Sequence, residues 1–387
     1  MHERRQAFAE DHGLALRPIG AMLFESMKPS RRHILKLPLL AAVPYIANAQ
    51  RSVDPHAIAS MFMLGFLGSS PQSASARALT RDLAEQRVGG VCFLGHNTKS
   101  RLDIEQLTAM FNDAARDVAP LIAVDQEGGA VQRLGKRIGY ESFPRANTVA
   151  QENSPDHARQ LYRQLALTIK NAGFNLNVSP VIDLGIEPGN PVVYKWGRTF
   201  GNDGSTVADY AAAFIEAHRN ENILTAAKHF PGHGSTLSDS HASAVDITET
   251  WRADELTPYR VLAKQGKLDI VMSGHLSHQQ LTAGLPATLS SRAVNILRQE
   301  LGFSGVLMTD DLDMKAIRSS YSLTEAVLRS IAAGYDLILL SNSLQNDPAL
   351  PQRMIAAVTE AVREGRLSAN SIHESAERLA RLKKTIE

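Results

Sequence analysis

A single cysteine, Cys92, stands in 387 residues, so no intrachain disulfide can form and the fold must be held by its core. That count suits an oxidising and a reducing compartment equally. Cys92 lies inside the apolar run 88–94 with no base beside it in sequence, which reads as an inert buried thiol rather than a nucleophile. An excess of charge of one sign is also missing. With 41 Lys and Arg against 40 Asp and Glu the formal charge is +1, which implies neither nucleic acid nor an acidic membrane as a partner. No Gly-x-Gly-x-x-Gly follows an apolar run and no Gly-x-x-x-x-Gly-Lys-Ser/Thr occurs, so nucleotide phosphates are poor candidates. Internal repeats, low-complexity tracts and a linker in the middle of the chain are absent as well.

What the chain does have is 44% hydrophobic residues, enough to bury one large core. Short apolar runs at 61–66, 88–94, 121–124, 176–184, 223–227, 270–272, 306–308 and 337–340 alternate with amphipathic stretches. Eight strands alternating with helices predict an α/β fold, a single (β/α)8 TIM-type barrel, although periodicity alone does not separate it from an open doubly wound sheet. Polar residues follow several runs directly: Asp125, Lys228 with His229, His275 and Asp310. In such folds catalytic groups gather at the carboxyl ends of the strands.

The densest of these stretches is Lys228-His-Phe-Pro-Gly-His-Gly, followed by Asp239-Ser-His241. Pro231, Gly232 and Gly234 end regular structure and open a loop able to carry Asp239 and His241 back over a pocket. Three readings compete. The histidines could be structural, with the glycines making a tight loop. His229, His233, Asp239 and His241 could ligate a metal, although their spacing fits neither His-Glu-x-x-His nor a zinc finger. Or Asp239 and His241 form a general acid/base dyad, with Lys228 and His229 donating to a polyhydroxylated substrate.

This stretch resembles the signature of glycoside hydrolase family 3, specifically its bacterial β-N-acetylglucosaminidases (β-hexosaminidases) of the NagZ type. Four further segments agree in order and spacing: Asp125-Gln-Glu-Gly-Gly with Arg133 eight positions on; Trp196-Gly-Arg198-Thr-Phe-Gly; Pro286-Ala-Thr-Leu-Ser before Glu300-Leu-Gly-Phe-Ser-Gly; and Met308-Thr-Asp310-Asp-Leu. The likeness runs from about Met61 to the C-terminus, and several motifs in one order are more specific than any one of them. It implies a retaining exo-β-N-acetylhexosaminidase that releases terminal N-acetylglucosamine from peptidoglycan fragments or chitooligosaccharides, with no metal and no organic cofactor. In that scheme Asp310 is the nucleophile and His241 the acid/base, with Asp239 holding its tautomer. Asp125, Arg133, Arg198, Lys228 and His229 bind the terminal sugar. His233 is expected to steady the glycine loop, and His275 and Asp183 to have supporting roles. Adjacent strand residues point to opposite faces, so Asp311 is expected to cap or pair locally, and Asp313 to be solvated on the following helix.

Alternatives stay open at this point. A family 3 β-glucosidase usually carries a second domain that supplies a carboxyl acid, and this chain ends soon after the last expected barrel helix. A neutral imidazole base repels phosphate less than a carboxylate does, which keeps a phosphorylase in view. A non-catalytic sugar-binding barrel and a metal-dependent hydrolase are readings from other classes.

Residues 1–49 differ in kind. Ser30-Arg31-Arg32-His-Ile-Leu-Lys36, an apolar run 37–46 and Ala47-Asn-Ala49 resemble a twin-arginine export signal over 27–49, ahead of a catalytic domain at 50–387. The expectation is a periplasmic or secreted enzyme that meets the twin-arginine export machinery. The apolar run is too short for a stable membrane anchor. Met27 just ahead of the signal offers a second start site, and a cytoplasmic enzyme with a basic N-terminal helix is the alternative.

Overall fold

A computed structural model describes residues 52–115, 118–239, 243–343 and 345–386. The predicted export segment and His241 therefore lie outside the described residues. Twelve strands occur among them: β1 Phe62–Leu64, β2 Gly90–Phe93, β3 Leu121–Val124, β4 Gln126–Gly128, β5 Val131–Gln132, β6 Leu176–Asn177, β7 Leu224–Phe230, β8 Val245–Asp246, β9 Ile270–Ser273, β10 Leu276–Ser277, β11 Val306–Thr309 and β12 Ile338–Leu340.

Eight of them form one parallel sheet in the order β11-β9-β7-β6-β3-β2-β1-β12. The two ends of that order meet, because Met308 and Leu337 form a parallel bridge, with Thr309 N–H donating to Leu337 O at 3.0 Å. Asp336 clamps this seam, accepting from Leu307 N–H at 2.8 Å and pairing with Arg298 at 2.6 Å and Arg378 at 3.1 Å. The (β/α)8 barrel expected from the eight apolar runs is the observed architecture, and every run contributes its strand. The reason is burial on both faces. All residues of β1, β2, β3, β9 and β11 are buried, which selects continuous apolar runs rather than alternation.

Helices cover the outside. The helix Pro155–Asn171 is capped by Ser154, whose hydroxyl accepts from His157 N–H, and has Pro at its first turn, an arrangement worth about 1 kcal/mol for the cap alone. Ala158, Tyr162, Leu165, Ala166 and Ile169 form its buried face, the spacing of one helical stripe. Few aromatics suffice because they cluster: Phe66, Phe93 and Phe111 meet edge to face with centroids 5.1–5.9 Å apart, and Phe174 joins Phe93 at 4.8 Å.

Two strands depart from expectation. The run 176–184 yields only β6, because Pro180 has no N–H to donate to a ladder, and Val181 makes just an isolated bridge to Lys228. Conversely, β7 continues past Ala227 through Lys228, His229 and Phe230. Hydrophobicity could not extend the strand through two ionisable residues, but the partners described next allow both to be buried within it.

Candidate active site

Asp125 follows β3 directly, and the antiparallel pair β4–β5 then brings Glu127 and Arg133 back over the end of the barrel. The turn between them uses Gly128 and Gly129 at φ 98° and 61°, where a Cβ on Gly128 would come within 2.3 Å of Pro144 O, so only glycine fits. Lys228 rises from β7 on a nearby side of the ring. Its Nζ donates to Asp125 Oδ1 at 2.7 Å and to Glu127 Oε1 at 2.9 Å. Arg198, from the loop after β6, grips Glu127 with two parallel bonds, Nε to Oε2 and Nη2 to Oε1, each 2.8 Å. Arg133 stands 3.8 Å from Asp125.

Charges buried this deeply persist only when paired. Burial opposes ionisation of Glu127, yet Arg198 and Lys228 beside it hold its carboxyl well below the usual carboxylate range. Burial likewise disfavours the Lys228 ammonium, but Asp125 and Glu127 more than compensate and raise its pKa. Glu127→Ala would leave two buried cations short of a partner. It should cost about 3–5 kcal/mol in urea unfolding, and a loss below about 1 kcal/mol would show that the network is not what holds these loops.

A second cluster centres on Asp183. It accepts from His229 N–H at 3.1 Å, from His229 Nδ1–H at 2.7 Å and from His233 N–H at 2.8 Å. Burial raises its pKa, but the neighbouring His229, the bond from its ring and His233 outweigh burial, for a net fall. The bond occupies Nδ1 of the His229 ring, so Nε2 is the ring nitrogen not spent on Asp183. His233 is turned inward, its Nδ1 2.7 Å from Thr236 Oγ1, and burial, reinforced by His229, pushes its pKa down to about 4. A neutral ring locked in this way steadies the loop, as expected. Gly234 N–H donates to the buried Glu255 at 2.8 Å. Gly232 has φ 125°, and a Cβ there would meet Glu255 at 2.6 Å. Among the described residues no group of three His, Cys, Asp or Glu is placed to hold a metal, and His241 of the alternative metal set lies outside them.

Further round the ring, with β9 alone between β7 and β11, Asp310 begins the turn after β11. Its N–H donates to Ser273 O at 3.0 Å, and its Oδ1 accepts from Asp311 N–H at 2.8 Å. Asp311 turns into the protein, as its expected local role requires: Oδ1 accepts from Ser341 N–H at 2.8 Å and Asp313 N–H at 3.0 Å. Burial pushes its pKa up to about 6. His275 supports the same turn, donating from Nε2–H to Asp311 O at 2.8 Å. Asp313 contradicts expectation. It is buried ahead of the helix, accepts from Asn342 N–H at 2.9 Å and lies 3.8 Å from Arg318, because the loop after β12 folds over it.

The sequence profile of the glycosyl hydrolase family 3 N-terminal domain matches residues 57–382. The chain belongs to this family. Among curated family 3 relatives, the β-hexosaminidase LpqI of Mycobacterium tuberculosis is 36% identical over 270 residues, 68% of this chain and 67% of that protein. A β-hexosaminidase of Nitrosomonas eutropha is 34% identical over 72% of this chain and 81% of its own length. Of the solved structures, a family 3 β-N-acetylglucosaminidase from Paenibacillus superposes with TM-score 0.77 at 31% identity. That match covers 86% of this chain, which spans 62% of the Paenibacillus chain.

Within this family 3 barrel the structure brings Asp125, Arg133, Arg198, Lys228 and His229 to one rim with Asp310. Asp239 is also described, lining a hollow beside Arg198. Sequence reasoning passed over Glu127, the residue on which Arg198 and Lys228 converge. The only available hint was its place inside Asp125-Gln-Glu-Gly-Gly. Asp183 was given a supporting role, and the structure shows what it supports: the ring and backbone of His229.

Proposed function

We infer that this glycoside hydrolase is a retaining exo-β-N-acetylhexosaminidase that releases terminal N-acetylglucosamine from peptidoglycan fragments or chitooligosaccharides. The observation that carries the reading is the rim itself. A carboxylate, Asp310, ends β11, and a preorganised set of sugar-sized donors and acceptors ends β3 and β7. The relatives named β-hexosaminidase support the substrate class.

In this scheme the Asp310 carboxylate attacks the anomeric carbon while the glycosidic C–O bond breaks, and the leaving oxygen takes a proton from the His241 imidazolium. The neutral imidazole then removes a proton from water, whose oxygen displaces Asp310 and restores the β configuration. Asp239 favours the charged imidazole and orients it. Lys228 has three donors and uses two on Asp125 and Glu127, so one is left for a hydroxyl. His229 offers Nε2, and Asp125 and Arg133 face each other across the same rim. Arg198 spends most of its fork on Glu127 and acts by holding that carboxylate under the sugar site.

A product assay on N,N′-diacetylchitobiose and on muropeptides, with and without phosphate, tests the reading. Free N-acetylglucosamine of retained β configuration is expected in both conditions. A sugar phosphate formed only with phosphate would make the enzyme a phosphorylase, and faster turnover of a β-glucoside would overturn the sugar assignment. Twin-arginine export would bring the enzyme to cell-wall substrate. N-terminal sequencing of the natively expressed protein should find the chain starting after Ala49, and retention of 30–49 would refute export.

A further inference from the structure

Trp196 is 56% exposed, an uncommon state for an indole in a chain with two tryptophans. It is also held still. Its Nε1–H donates to Pro191 O at 3.1 Å, and Asn190 Oδ1 accepts from Val192 and Val193 N–H at 2.9 and 2.8 Å to lock the turn that carries it. Gly197 next to it has φ 63° and packs against Asn147 and Arg145 so closely that a Cβ would lie 2.5 Å from Asn147 Oδ1. An exposed flat ring on a rigid support is a preorganised platform, because little entropy is lost when something covers it.

Its position says what covers it. Trp196 shares a hollow with Val131 and Val192, and with Arg198 and Asp239. Arg198 grips Glu127, and Glu127 holds Lys228, so one wall of the hollow belongs to the terminal-sugar site. Asp239 belongs to the loop that, on the reading above, carries the proton donor to the leaving oxygen. A hollow bounded by both lies on the leaving-group side of the bond to be cut.

We propose that Trp196 is the floor of an aglycone subsite and stacks against the C–H face of the second pyranose ring of a β-linked oligosaccharide. Aromatic faces bury large apolar area at low conformational cost, and a pyranose offers an apolar face ringed by hydroxyls. The inference rests on the hexosaminidase reading, and its test separates the two. Binding of N,N′-diacetylchitobiose and of N-acetylglucosamine is measured by calorimetry on full-length protein carrying Asp310→Asn to suppress turnover, with and without Trp196→Ala. Affinity for the disaccharide should fall about tenfold, the equivalent of about 1.4 kcal/mol. Affinity for the monosaccharide should not change, and Trp196→Phe should restore most of the loss. An equal change for both sugars, or no change for either, overturns the subsite. If the protein with Trp196 intact binds neither sugar, the hexosaminidase reading itself falls, and this inference with it.

Discussion

Asp310→Ala is expected to fold normally and to lose turnover of N-acetylglucosaminides by about four orders of magnitude or more, the scale seen when a covalent nucleophile is removed. The fold should survive because the backbone does the structural work at this turn. Asp310 N–H is bound by Ser273 O and Asp311 O by His275, and neither bond involves the deleted carboxylate. The bond from Asp311 N–H to Oδ1 is lost with the carboxylate, but it is only part-buried and the donor can turn to water, so the stability change should stay within about 1 kcal/mol. Kinetics and urea unfolding on the same preparation separate the two effects. With an activated aryl glycoside, added azide should recover part of the turnover and yield an α-glycosyl azide, because a small anion enters the space the carboxylate left. Asp311→Asn is the control. Its carboxyl faces Ser341 and Asp313 N–H, and an amide oxygen can accept both. If activity vanishes in Asp311→Asn and survives in Asp310→Ala, the nucleophile has been misassigned.

The barrel was legible because its strands are buried on both faces. Runs such as Leu121–Val124 and Val306–Thr309 carry no polar interruption, and a polar residue directly after them marks the catalytic rim. Strand ends were less legible. Lys228 and His229 look like the start of a loop, and only the partners Asp125, Glu127 and Asp183, 46 to 103 residues away in sequence, make them a strand. The same distance hid Glu127. Ionic networks built from three separate loops leave no local period, so a sequence supplies the members and not their pairing. Asp313 failed for a related reason: its burial depends on Ser341 and Asn342 at the end of the last strand, which no pattern around residue 313 reveals.

The second large effect concerns the proton donor. If His241 protonates the leaving oxygen, its loss should be felt in proportion to how poorly the aglycone leaves on its own. The quantity to compare is kcat/KM, which reports steps only through the first irreversible one and so excludes the hydrolysis half-reaction. For a disaccharide, whose alkoxide is a very poor leaving group, His241→Ala should lower kcat/KM by about a hundredfold to ten-thousandfold. For an aryl glycoside with an acidic phenol, the loss should be no more than about tenfold. In kcat the aryl substrate should behave differently, because attack of water on the Asp310 adduct also needs the imidazole as a base, and a burst of phenol equal to the enzyme concentration should precede a slow steady state. Asp239→Asn should give a milder version of both effects and move the pH limb that reports the imidazolium downward, since the neutral amide no longer stabilises the charged ring. Equal losses on the two substrates would make His241 a binding residue instead. The burst would then be absent, because a protein that binds poorly but reacts normally accumulates no adduct.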